Sequence, residues 1–402
     1  MDKHNLFPIS REELLEKSKD FLESAADRLD ERFTKRVEGT KFEAPLLEGE
    51  PEEYKWYRIH LEEGLSADGS EYHIYLRKAS SQKLCIFLSG GGLAWNEYTA
   101  SHPITTGAMI TNRPNFYYSN LRPVTELMNI NSGIMENTKR NPFYDYNFIV
   151  ITYATGDFHI GNNDYHYKDE QGDEKVLHFH GYANFEAAMH KAKQCFPHVE
   201  KLLFAGDSAG GFAVPALAEE VGNVWYKDCE DITLLSDASL LVYDNWPHTI
   251  RDLWHAKPEM YEHLTSSNLP LAWYSTLMQK YPNRFRYLYC GSTHDYVLST
   301  YYSSITDHVY KTDEEVQNIF YEQLSDMIFT LLEIHPSFTV MIHDIHNPLT
   351  HGGTIHTAVR RNWFYTPVNN TTIAKWLSEA VEGNGLNTGL ELLHHNRVGG
   401  GD

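Results

Sequence analysis

Four cysteines in 402 residues, none of them in a C-x-x-C pair, leave no pattern of a disulfide scaffold or a cysteine-bound metal. Cys85 and Cys290 fall inside apolar segments and read, with Cys195 and Cys229, as reduced small hydrophobes, which points to a cytoplasmic protein. Positive charge is scarce. Against 55 acidic side chains stand 34 basic ones, a net charge of −21, which argues against nucleic acid and anionic membranes as partners and gives no steering toward polyanions. The same charge also serves plain solubility. No run of about 18 apolar residues occurs, so a membrane-spanning helix is excluded. The opening MDKHNLFPISREELLEKSKD is charged and lacks an apolar centre, so no secretory signal is expected.

What is present suits a folded protein: 42% of residues are hydrophobic and 13% aromatic, enough for a sizeable core. Apolar spacing over 11–36 predicts an amphipathic helix, with Ser10 as its cap and Glu13 closing a capping box. A hairpin is expected over 57–77. Buried strands are then expected at 84–88, 148–153, 201–205, 232–236, 285–290 and 338–342. Helices are read at 178–200, 211–221, within 247–282, and at 313–334 and 371–382. Strands alternating with helices imply an α/β fold with a mostly parallel central sheet and helices on both faces. Residues 101–146 form a loop-rich, aromatic insertion that reads as a lid or a substrate wall. With no repeats or linker, the economical division is a lead-in at 1–56, a main domain at 57–383 and a polar tail at 384–402.

The chemistry centres on LFAGDSAGGFA, residues 203–213. Gly206-Asp207-Ser208-Ala209-Gly210 fits G-x-S-x-G between a strand and a helix, the elbow that lifts a nucleophilic serine out of a sheet in α/β-hydrolase-like folds. A glycine-rich turn carrying an ordinary hydroxyl is the competing reading. Gly90-Gly91-Gly92 directly follow a buried strand, where backbone N–H groups can turn toward a bound carbonyl oxygen. Asp157 and His159 follow the next strand and are read as loop-stabilising or substrate-binding, since no third ligand at a sensible spacing makes them a metal pair. A serine needs a base held by a carboxylate, each in a loop after a later strand. Asp295 meets that requirement and Asp237 meets it less well; His343, His346, His351 and His356 compete as base, His356 and His351 foremost. No metal or cofactor is expected.

Several segments resemble the pectin acetylesterase family, which includes the Notum-type carboxylesterases. They are GGGLAW, SGIMENTKRNPFYDYNFIVITYATGDFHIGN, HGYANFEAAM, GDSAGGF, HDYVLSTYY and GGTIHTAVRRNWFYT, spread over about 84–383. The resemblance implies an α/β-hydrolase that removes acyl groups, often acetyl from sugar hydroxyls. It places the nucleophile on Ser208, the acid on Asp295, the base on His356, and oxyanion donors on the N–H groups of Gly91, Gly92 and Ala209. Where family members usually carry cysteines, this chain has Ala94, Ala100 and Ala154, and Asp207 precedes the serine. The expected function is therefore a serine carboxylesterase that removes short acyl groups, acetyl foremost, from a carbohydrate or small metabolite. Trp95 and the aromatics at 114–118 and 143–146 offer flat apolar faces that can stack on sugar rings, with plain core packing as the competing reading. A lipid carboxylesterase, an acyltransferase and a non-catalytic binding protein on a hydrolase scaffold are the alternatives.

Overall fold

Strands such as Lys83–Leu88 (KLCIFL), Asn147–Ile151 (NFIVI) and Lys201–Asp207 (KLLFAGD) are buried on both faces, as unbroken apolar runs in a parallel sheet should be. The computed structural model describes residues 11–37, 44–121, 130–169, 171–346 and 352–393. The longer strands are β1 (Trp56–Leu65), β2 (Glu71–Arg77), β3 (Lys83–Leu88), β4 (Asn147–Ile151), β5 (Asn163–Lys168), β6 (Glu174–Phe179), β7 (Lys201–Asp207), β8 (Asp231–Asp237), β9 (Arg286–Ser292) and β10 (Thr339–His343). Eight of them form one sheet in the order β1-β2-β4-β3-β7-β8-β9-β10. From β4 to β10 all neighbours are parallel, and the leading β1–β2 hairpin adds the antiparallel edge.

Strand periodicity of two divides the core. Leu84, Ile86, Leu202 and Phe204 join one apolar cluster with residues of the helices Gly181–Cys195, Ala209–Glu220 and Glu314–Ile334. Their neighbours Cys85, Phe87, Leu203 and Ala205 join a second cluster with residues of the helix Ile373–Val381. Helices therefore cover both faces, as expected for an α/β-hydrolase-like fold. Among the described residues no helix is long and apolar enough to cross a membrane.

The structure departs from the helices read in the sequence in three places, while the first helix forms as expected. The helix expected from residue 178 starts at Gly181, because 174–179 pair with 163–168 as the small β5–β6 hairpin. The helix Tyr296–Thr306 is not expected from its sequence YVLSTYYSSIT, which is rich in aromatic and β-branched residues; the Asp295 side chain caps it by accepting from Val297 and Leu298 N–H. Within 247–282 the regular helix is Leu269–Lys280, packed against Ala209–Glu220. The first helix, Arg11–Val37, docks on Thr106–Thr111 of the insertion: Asp27 accepts the Gly107 N–H, and Arg113 bridges Glu16, Asp20 and Glu23. The cap assigned to Ser10 lies outside the described residues.

The aromatics at 143–146 do not reach any site at the carboxyl ends of the strands, because they immediately precede β4 and so lie at the amino ends. There they surround Arg77. Its buried guanidinium donates to the carbonyls of Phe143, Tyr144 and Tyr146, and its charge faces the rings of Trp56 and Phe148. Burial pushes its pKa down to about 10. Arg77→Met should leave those carbonyls without a donor and destabilise the fold by roughly 2–5 kcal/mol, read from urea unfolding. A loss under about 1 kcal/mol would show that the anchor matters little.

Candidate active site

Ser208 directly follows β7 at the middle of the sheet, with φ 52° and ψ −124°. Such a backbone is costly for a residue with a side chain and persists where its surroundings fix it. They do so here. The Ser208 N–H donates to the Asp237 carbonyl at 2.8 Å, and a Cβ on Gly206 or Gly210 would overlap the Gly210 or Leu88 carbonyl. The helix Ala209–Glu220 then starts immediately, so its unpaired first N–H groups open beside the serine.

The glycine loop follows β3, the strand paired with β7. Gly90 N–H donates to Asp207 Oδ1 at 2.8 Å, Leu93 N–H to the Phe116 carbonyl at 2.8 Å, and Ala94 N–H to the Gly156 carbonyl at 2.9 Å. Between them, the N–H groups of Gly91 and Gly92 have no acceptor among the described residues, and both glycines are partly exposed. Gly92 has φ +81°, and a Cβ there would strike the Phe116 carbonyl, so only glycine fits.

Asp295 lies after β9 and is 1% exposed; its Oδ2 accepts from His356 Nδ1 at 2.8 Å. The two loops are zipped together. Thr354 N–H donates to the His294 carbonyl, Tyr296 N–H to the Thr354 carbonyl, and Ser292 Oγ to the Ile355 carbonyl. His343 and His346 are placed differently. His343 is buried within β10, where burial pushes its pKa down to about 4, and His346 Nδ1 bonds the Gly353 carbonyl. His351 lies outside the described residues. Burial alone would lower the His356 pKa, but Asp295 beside it, with Asp207 and Asp237 beyond, holds it above its ordinary value of 6.5.

Asp237, the rival acid, does something else. Its Oδ2 accepts both Ala358 and Val359 N–H at 2.8 Å, so it anchors the chain just past His356. Asp207, noticed in the sequence only as unusual, is fully buried: Oδ1 holds the Gly90 N–H, and Oδ2 pairs with Arg360 Nε at 2.9 Å. The Arg360 link is 153 residues away in sequence, and nothing in the local pattern announces it.

Asp157 and His159 are also interior. Asp157 accepts from Thr155 Oγ1 and from the N–H groups of His159 and Gly181, and burial lifts its pKa to about 6. His159 Nε2 bonds the Ser89 carbonyl at 2.9 Å, so this pair builds the loop behind the glycines. Trp95 is 6% exposed and packs on Phe116 and Tyr301, as part of the wall's core and not as an open stacking face.

A family model described as Pectinacetylesterase matches residues 58–264. That span holds Gly91, Gly92, Asp157, Ser208 and Asp237 and ends before Asp295 and His356. No curated protein matches the chain.

Removing half of the Asp207–Arg360 pair should leave a buried charge uncompensated. Asp207→Asn is expected to cost about 3–5 kcal/mol of stability, and adding Arg360→Met should recover much of the loss. Additive losses in that double-mutant cycle would show that the two side chains act independently.

Proposed function

Because the chain belongs to the pectinacetylesterase family, and so is a serine hydrolase acting on acetyl ester bonds of carbohydrates, we propose that Ser208, His356 and Asp295 carry its chemistry. The observation that carries this reading is the 2.8 Å bond from His356 Nδ1 to Asp295, in loops that Asp237 also ties to the strained Ser208 elbow. With its Nδ1–H held by Asp295, His356 presents Nε2 as the basic nitrogen. Nε2 takes the Ser208 proton as Oγ attacks the ester carbonyl. The N–H groups of Gly91, Gly92 and Ala209 stabilise the oxyanion. Collapse expels the sugar alcohol, which receives the proton from His356. Water, deprotonated by the same nitrogen, then cleaves the acyl-enzyme, releasing the acid and restoring Ser208.

The acyl group is short. The acetyl esters of the family support this, and the rings of Tyr118 and Tyr153 stand close against Gly91. The alcohol is a neutral or small sugar, because a chain of net charge −21 gains nothing by steering toward a polyuronate. Its four cysteines are unpaired, which supports work in the reducing cytoplasm.

Ser208→Ala should fold normally and lose at least about a thousandfold in kcat for 4-nitrophenyl acetate. Acetate release should exceed release from longer esters, and acetylated xylo-oligosaccharides should outrun acetylated pectin; faster octanoate hydrolysis would instead support a lipid esterase. The base acts as neutral imidazole, so kcat/KM should fall as pH drops through a midpoint above 6.5. Asp295→Asn removes the carboxylate that raises this pKa and should shift the midpoint downward while depressing the rate. A wild-type midpoint below 6.5 would count against His356 as the base.

A further inference from the structure

The β5–β6 hairpin lies outside the loops bearing Ser208, Asp295 and His356, and it gathers three side chains with metal-ligand chemistry. Asp164 on β5 is directly opposite His178 on β6. His180 follows two residues later, where strand periodicity returns a side chain to the same face. The intervening Phe179 and the preceding Leu177 point inward, 0% and 1% exposed, which turns both imidazoles outward. His178 Nδ1 lies 2.6 Å, and His180 Nε2 2.9 Å, from the same carboxylate oxygen, Asp164 Oδ1. Among the described residues this is the trio whose ligand atoms all fall within 4.8 Å of one another. Spacing along the sequence hides it, because the third ligand arrives across the hairpin.

We propose that Asp164, His178 and His180 bind one divalent transition-metal ion of the zinc class as a structural clip. Two imidazoles and one carboxylate form a donor set for zinc-like ions, whereas calcium and magnesium prefer oxygen alone. Ligand atoms around tetrahedral zinc lie about 3.3 Å apart, so each imidazole nitrogen need move only slightly away from Asp164 Oδ1 to admit an ion. Side-chain exposures of 53% for Asp164, 23% for His178 and 24% for His180 leave an entry path and room for water as the fourth ligand.

The clip would join three elements. His180 adjoins Gly181, whose N–H donates to Asp157, and Asp157 organises the loop that meets Ser89 through His159. An ion would therefore fasten both hairpin strands to the start of the helix Gly181–Cys195, behind the glycine loop and apart from the ester chemistry.

The test uses tag-free full-length protein, stripped with EDTA, dialysed and titrated with zinc chloride, with cobalt(II) chloride as a coloured reporter. One equivalent should bind, cobalt should give the intense visible bands of a tetrahedral site, and saturating zinc should raise Tm by a few degrees. His178→Gln and His180→Gln, both at partly exposed positions, should each weaken zinc binding at least about a hundredfold and abolish the Tm rise. Hydrolysis of 4-nitrophenyl acetate by the stripped wild type should stay within about twofold of the zinc-loaded protein. Absence of stoichiometric binding, or wild-type zinc affinity in either variant, would overturn the site. Loss of hydrolysis on stripping, restored by zinc, would overturn its assignment as a clip apart from the chemistry.

Discussion

Two buried carboxylates, Asp207 and Asp237, hold the carboxyl edge of the sheet together. Asp207 fastens the glycine loop through Gly90 N–H and the histidine loop through Arg360. Asp237 accepts Ala358 and Val359 N–H with its side chain and Ser208 N–H with its carbonyl. The loops after β3, β7, β8 and β10 thus meet at two residues that bracket the serine elbow in space. A buried ion pair need not add net stability over an apolar substitute. What it does here is penalise alternatives, since any arrangement that parts these loops strands a charge or several N–H groups away from water.

The same carboxylates set the electrostatics. Burial would keep His356 neutral, and three acids oppose it: Asp295 in contact, Asp207 and Asp237 farther off. Arg360 balances Asp207, while Asp237 sits in a pocket that lifts its own pKa to about 7, chiefly by burial. The histidine is thereby favoured as a proton acceptor without a full countercharge in contact beyond Asp295. The strain at Ser208, of order 1–3 kcal/mol, is sustained by the same frame of bonds.

Legibility followed the range of the interactions. Strand positions are foreshadowed by apolar runs such as KLCIFL and KLLFA, because burial on both faces is a local compositional fact. The elbow and the glycine loop could be read from local sequence because close backbone approach demands glycine at fixed spacing. Asp295 could be narrowed down as a loop carboxylate after a strand, whereas its bond to His356 depends on how two loops 61 residues apart in sequence meet. Asp207–Arg360 could not be read, nor could the pairing of Asp164 with His178, since each depends on how distant segments meet. The β5–β6 hairpin was missed for another reason: its alternating half-exposed pattern is polar outside and lies directly against a helix start.

The positions where the resemblance calls for cysteine show how the chain keeps those loops in place without disulfides. Ala94, Ala100 and Ala154 are buried methyl groups, each at most 1% exposed, and the backbone around each is bonded across loops. Ala94 N–H donates to the Gly156 carbonyl, and Trp254 Nε1–H donates to the Ala94 carbonyl. Ala67 N–H donates to the Ala154 carbonyl, while the hydroxyls of Tyr117 and Tyr167 both donate to that of Ala100. At about 0.5–1.5 kcal/mol each, these five bonds are together comparable with one disulfide, typically about 2–4 kcal/mol. They work equally well whether the surroundings oxidise or reduce, so a glycine loop aimed at Ser208 keeps its shape in a chain whose four cysteines stay free.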